Sequence, residues 1–275
     1  MARIPLEDNF DDVINKTQRG LGISDADLAA RAEVSPEDLA AVKGGKPIDA
    51  VIRRVARHLR LSPDALEALA HKRWYPEQPA FPRGFAAFNT PYEDMTVNSY
   101  LVWDARDKVG ACFDTGADCQ AMVDVIQSEG LDIRYIFLTH THEDHVADLS
   151  RLSAALPKAE VWSSELEPVE HAGAKTFAEN VHFHVGGLAI KTLLTSGHSP
   201  GLTTFFVTGL SWPLAVVGDA LFASSMGGSL QHFAEQHRNT AQKIFTLPRD
   251  TVIAPGHGPL STLAQEKQHN PFFAR

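Results

Sequence analysis

The chain has 275 residues, 44% hydrophobic and 21% charged, which excludes disordered, collagen-like and membrane-embedded compositions and leaves room for one large domain or an ordinary one plus a small one. A net charge of -9, from 25 basic and 34 acidic residues, opposes phosphate backbones and excludes generic nucleic-acid binding as the main activity. Only two cysteines, Cys112 and Cys119, acids in the opening MARIPLEDNF and the lack of a long apolar run lead us to expect a cytoplasmic protein in a reducing compartment, with no membrane partner.

The first elements in the chain are short helices. Ser24 caps DADLAARAEV, Ser35-Pro36 opens PEDLAAV with Gly44-Gly45 beyond its end, a third helix covers Ile48–Leu59, and Ser62 caps Pro63–Ala70. Leu28, Leu39, Val42, Ile52, Val55 and Leu66 supply buried stripes at helical spacing. This run, LAARAEVSPEDLAAV followed by RRVARHLRLSPDAL, resembles the Cro/C1-type helix-turn-helix family, which implies a small all-α domain. In such a motif the second helix directs its first residues at bases and phosphates, and here those residues are Glu37 and Asp38. Carboxylates there disfavour DNA as a partner. Arg53, Arg54, Arg57 and Arg60 read equally well as a solvated face. We therefore expect a docking or dimerisation module, with a second copy of the chain as one candidate partner and DNA as the weaker alternative.

Residues 1–75 hold 12 basic and 12 acidic residues, so the remainder holds 13 and 22 and carries the entire charge deficit. Pro76, Pro79 and Pro82 in WYPEQPAFPRG cannot continue a helix and favour an extended connector. The expected division is residues 1–75, a linker at 76–84, and a second domain at 85–275.

The second part alternates strands and helices. Extended segments are expected at Phe85–Phe88, Val97–Trp103, Gly110–Phe113, Tyr135–Leu138, Val161–Ser163, Leu188–Leu194, Thr203–Thr208, Leu214–Val217 and Thr251–Ala254. Helices are expected at Asp118–Gln127, His145–Ala155, Pro168–Glu179 and Ala234–Phe245. The mixture implies an α/β fold of two sheets with helices outside.

The decisive segment is YIFLTHTHEDHVADL. An apolar run ends at Thr139, followed by His140, His142, Asp144 and His145, then a helical pattern. Residues two apart in extended chain project to one side, so His140 and His142 can grip one metal, and the turn into the helix aims Asp144 and His145 at an adjacent point. His182-Phe183-His184 has the same alternation without the following Asp-His and reads as an ordinary strand.

THTHEDH resembles the HxHxDH motif of the metallo-β-lactamase superfamily, and TSGHSPG, VVGDALF and APGHGP follow in that family's order, with FDTGAD and NSYLV before it. The resemblance covers about residue 85 onward and implies an αββα sandwich. It implies that His140, His142 and His198 hold one metal ion, that Asp144, His145 and His257 hold a second, and that Asp219 bridges them. The implied nucleophile is a metal-bridging hydroxide, oriented by Asp144. Zinc is the default for this donor set, which also accepts iron or manganese.

PGHGPLSTLAQEKQHNPFF and GDALFASSMG resemble compact glyoxalase II-like hydrolases, which implies hydrolysis of a small thioester or related ester. Two departures stand out. The family's S-I-G-R-[ST]-D is replaced by Ser225-Met226-Gly227-Gly228-Ser229-Leu230, and the Gly-Gly after the Asp-His pair by Ala147-Asp148. Lactonases sharing these ligands place a tyrosine where this chain has Phe222. The alternatives are a mononuclear iron persulfide dioxygenase, a lactonase, and a DNA-binding regulator with a metallohydrolase-fold sensor.

Overall fold

The computed structural model describes residues 3–274. It begins with five helices: α1 (Phe10–Gly20), α2 (Asp25–Ala32), α3 (Pro36–Lys43), α4 (Asp49–His58) and α5 (Pro63–Ala70). Ser24, Ser35 and Ser62 cap α2, α3 and α5 by accepting the backbone N–H groups of Asp27, Asp38 and Ala65, each satisfying a donor that has no partner within its helix. Helix α1 is an addition to the expected elements. Its signal was a capping box, Asn9 with Asp12, in a segment whose run of acids had hidden the apolar stripe of Phe10, Val13 and Ile14.

The five helices close on Ile14, Leu28, Leu39, Ile52 and Leu66, and the same cluster takes in Met226, Phe233 and Phe272 from far along the chain. The helices thus share their core with the rest of the molecule. The connector lies against the larger part, with Gln78 donating to the Leu260 carbonyl at 2.8 Å and Trp74 stacked on His269.

Twelve strands follow: β1 (Phe85–Tyr92), β2 (Met95–Trp103), β3 (Val109–Phe113), β4 (Asp132–Phe137), β5 (Glu160–Ser164), β6 (Lys175–Phe177), β7 (His182–Val185), β8 (Leu188–Leu194), β9 (Thr203–Thr208), β10 (Leu214–Gly218), β11 (Val252–Pro255) and β12 (Ser261–Thr262). They form two six-stranded sheets, ordered β1-β2-β3-β4-β5-β6 and β12-β11-β10-β9-β8-β7. Tyr100, Phe113, Phe137, Phe183 and Phe205 fill the space between the sheets. Helices α6 (Gln120–Glu129), α7 (Glu143–Val146) and α8 (Leu149–Ala155) follow β3 and β4, and α9 (Phe233–Asn239), a π-helical turn (Thr240–Ile244) and α10 (Leu263–His269) flank the second sheet. Met122, Ile126, Leu149 and Leu152 pack against the outer face of the first sheet, and Ile244 and Leu263 against that of the second. The molecule has the expected order of helices, sheet, sheet and helices.

Three expected helices need correction. Pro168–Glu179 is not helical: Pro168 and Gly173, with φ of +79°, break it, and Lys175–Phe177 pairs with β5 as a sixth strand. His145–Ala155 is two helices, interrupted where the Asp148 carboxylate turns back to accept the Cys119 N–H. Ala234–Phe245 changes from α to π at Thr240. Cys112 and Cys119 are buried and unbridged. Among the described residues no helix is long and apolar enough to cross a membrane.

Candidate metal centre

The site lies where β4 runs out. The chain after Phe137 leaves the sheet, carries buried His140 and exposed His142, and turns into α7, whose first residues are Glu143 and Asp144. His198 comes from the loop after β8, Asp219 follows β10, and His257 follows β11. The sandwich therefore brings together, at one end, side chains from four loops widely separated in sequence.

The proposed first set meets closely. His140 Nε2 lies 3.1 Å and His198 Nε2 3.0 Å from His142 Nδ1. Tetrahedral coordination at about 2.0–2.1 Å would put neighbouring nitrogens about 3.3 Å apart. In the second set, Asp144 Oδ2 lies 3.2 Å from His257 Nε2 and 3.4 Å from His145 Nε2. Asp219 stands between the sets, with Oδ1 3.4 Å from His145 and Oδ2 3.3 Å from His198 and 3.5 Å from His257. The ligand atoms of three overlapping groups, His140-His142-His198, His140-His145-Asp219 and Asp144-His145-His257, each fall within 4.8 Å of one another.

Two observations fit this donor set to cations. Buried His145 Nε2 and Asp219 Oδ1 face one another without a hydrogen-bond partner among the described residues, a costly arrangement unless something positive lies between them. The outward nitrogens, by contrast, are engaged. His140 Nδ1 meets Thr139 Oγ1 at 3.1 Å, His145 Nδ1 donates to Asp114 Oδ2 at 2.8 Å, His198 Nδ1 to the Gly228 carbonyl at 2.8 Å, and His257 Nδ1 to the Thr96 carbonyl at 2.8 Å. Such bonds fix the ring tautomer and leave the inward nitrogen bare, as metal ligation requires.

Electrostatics divide the site. Burial, reinforced by the neighbouring imidazoles, holds His140 well below the usual histidine range, and His142 is lowered for the same reasons. Burial also opposes charge on His145 and His257, but there the acids prevail: Asp114 lifts His145 to about 10, and Asp219 lifts His257 to about 11. Burial would raise Asp219 and Asp144, yet the surrounding imidazoles keep both below the ordinary carboxylate range. Without an ion, His140 and His142 are thus kept neutral, whereas His145 and His257 hold protons against the carboxylates, protons that a bound cation would displace.

Several supporting residues lie outside the seven candidate ligands, Asp114 and Asn98 within FDTGAD and NSYLV, Glu167 and Glu7 in no motif. Asp114 is buried and accepts both Thr139 N–H and Thr139 O–H, at 2.7 and 2.8 Å, in addition to His145. Glu167 accepts from Thr141 N–H, Ser199 O–H and Gly201 N–H at 2.6–2.8 Å, tying the His140–His142 loop to the His198 loop. The Asn98 amide donates to the Pro255 and Gly258 carbonyls at 3.0 and 2.8 Å, holding the loop of His257. Gly256 must be glycine, because a Cβ there would fall 2.2 Å from Asp219 Oδ1. Glu7, half-buried, passes beside His257: burial raises its carboxyl while His257 pulls it down. Its place was invisible in a sequence that separates the two by 250 positions.

Residues 92–257 match the Metallo-beta-lactamase superfamily. A Streptococcus pyogenes protein named "Probable metallo-hydrolase" is 30% identical over 63% of this chain and 84% of its own length. The bovine mitochondrial persulfide dioxygenase is 29% identical over 63% of this chain and 70% of its own. The Haemophilus influenzae hydroxyacylglutathione hydrolase GloC is 26% identical over 66% of this chain and 95% of its own. Among solved structures, TTHA1623 in a di-iron-bound form covers 67% of this chain at 26% identity, with a TM-score of 0.54 and 99% of its own chain matched.

Proposed function

The chain belongs to the metallo-beta-lactamase superfamily, and from that premise we propose that it is a dinuclear metal-dependent hydrolase of a small thioester or related ester. The observation that carries this is the inward-facing donor set, in which Asp219 reaches both histidine groups while buried His145 Nε2 and Asp219 Oδ1 lack hydrogen-bond partners. In this reading His140, His142 and His198 hold one ion, Asp144, His145 and His257 a second, and Asp219 bridges. Two bound ions would lower the pKa of water toward neutrality and polarise a carbonyl oxygen.

The chain's own side chains supply the rest. Asp144, whose Oδ2 faces His145 and His257, would orient the attacking oxygen. Asp114 and Thr139 hold the rings of His145 and His140 in one tautomer. Glu167 keeps the first group from spreading. The likeness to a hydroxyacylglutathione hydrolase supports a thioester carbonyl as the target.

The test is metal analysis of the purified chain joined to a panel of thioester, lactone and phosphodiester substrates. Two ions per chain and preferred thioester turnover are expected; a chain that takes up no metal, or that hydrolyses no thioester when loaded, overturns the reading. The likeness to a persulfide dioxygenase favours a second reading, one iron and oxygen consumption with a persulfide, which an oxygen electrode distinguishes.

We assign residues 1–75 to a helix-turn-helix-like unit that serves the hydrolase, with the connector at 76–84 and the catalytic part at 85–275. Glu37 and Asp38 are exposed in the first turn of α3. Two of the four arginines behind them are already paired, Arg53 with Glu67 and Asp64, and Arg54 with Glu33. Both facts disfavour a phosphate partner.

A further inference from the structure

The cleft in front of His142 and His198 is walled by a helix from the other end of the chain. It encloses about 480 Å³ between those histidines, Ser229 and Leu230 on one side and Lys16 and Arg19 of α1 on the other. The helix is seated firmly. A Cβ on Gly20 would fall 2.4 Å from the Phe233 ring, and Lys16 Nζ donates to the Met226 carbonyl at 2.9 Å.

The two cations of α1 differ in what they have left to offer. Lys16 is half-buried and neutralised by Asp8 at 2.5 Å. Arg19 is exposed; its Nε donates to the neutral Asn15 carbonyl at 3.3 Å, and among the described residues no carboxylate lines the cleft. On the same rim Leu230 is 72% exposed, more than any other large apolar side chain among the described residues. A free planar guanidinium beside an uncovered aliphatic side chain suits a ligand that carries a carboxylate next to an apolar stretch.

We propose that α1 is the specificity wall of the site: Arg19 pairs with a carboxylate on the substrate and Leu230 covers its apolar portion, leaving the scissile carbonyl toward His142 and His198. The substrate class is then an anionic, carboxylate-bearing thioester or ester. The inference rests on the hydrolase reading above and adds a recognition role for the N-terminal helices.

The test uses the metal-loaded full chain with a carboxylated aryl thioester and its uncharged counterpart. Arg19→Ala should lower the ratio of kcat/KM for the charged over the uncharged substrate about tenfold, chiefly through KM, as expected for one charge-assisted pair, and Arg19→Lys should recover part of it. An unchanged ratio overturns the proposal. A carboxylated thioether, which has no scissile carbonyl, gives a second measure by calorimetry. Its binding should weaken about tenfold in Arg19→Ala and in the wild type at high ionic strength; equal binding by both proteins overturns the role of Arg19. Should the wild type hydrolyse neither thioester, the hydrolase reading fails while the thioether titration still decides whether Arg19 recognises a carboxylate.

Discussion

Two segments of the chain carry histidines at the same spacing, His140-Thr141-His142 and His182-Phe183-His184, and they have opposite fates. On β7 the pair alternates out of a paired strand: both histidines face solvent, Phe183 faces the core, and each is simply opposite a residue of β8. After β4 the chain has left its sheet, the strand alternation has ended, and the two rings meet at 3.1 Å with a third from another loop. Spacing is therefore necessary to bring two imidazoles to one point but insufficient. What differs is the end of a buried strand, a turn into a helix and three other loops converging from the opposite sheet.

The sharpest way to break that comparison is to remove a member of the convergent set. His142→Ala or Asp219→Ala should lower turnover at least about a thousandfold, some 4 kcal/mol of lost transition-state stabilisation, with loss of bound metal by elemental analysis and a far-ultraviolet circular dichroism signal that keeps the α1–α5 contribution. Activity retained in either would place the chemistry elsewhere.

Burial supplies a second contrast. Inside the cluster imidazoles keep Asp144 and Asp219 below their ordinary range, whereas Glu266, buried in α10, accepts from the Ser224 N–H and the Asn270 amide and is nonetheless pushed up to about 7 by burial. Between about pH 4.5 and 7 the unfolded chain releases this proton and the native chain keeps it, so stability present at low pH is lost as pH rises through that window. The full effect approaches about 3 kcal/mol. Glu266→Gln should remove this component, so that the variant loses less stability than the wild type in urea titrations compared at pH 5 and pH 8.

Asp114→Asn tests the support of the rings. The amide cannot accept from Thr139 and His145 as the carboxylate does, and metal affinity should fall about 10- to 100-fold, measured by competition with a chelator. The smallest effect is expected for the other histidine pair. His182→Ala and His184→Ala should leave metal content and turnover at wild-type values and change stability by no more than about 0.5 kcal/mol, read from thermal melts; loss of metal in either would erase the distinction between the two segments.

The local features were legible because they are local. Ser24, Ser35 and Ser62 mark helix starts through side chains that reach only three residues ahead, and the β-branched runs of β8 and β9 form strands with the expected ends. Helix α1 was obscured because its cap lies among acids, and Pro168–Glu179 misled because helical-looking composition there gives way to pairing with β5. At the site the seven candidate ligands could be named from ordered motifs. Glu167 and Glu7 could not, since each acts only through a neighbour 26 to 250 positions away.

By itself the sequence determined the alternation of strand and helix, the four loops that carry metal-type donors and the neutrality of the first 75 residues, because propensity, capping and side-chain chemistry are properties of neighbouring residues. Tertiary structure alone decided that Asp219 stands between two histidine groups and that Arg19 and Lys16 of α1 line the same cleft as His142 and His198. The reason is physical: long-range contact follows from how amphipathic faces pack, and the Gly20–Phe233 approach that seats α1 at the cleft leaves no trace in the spacing of either residue along the chain.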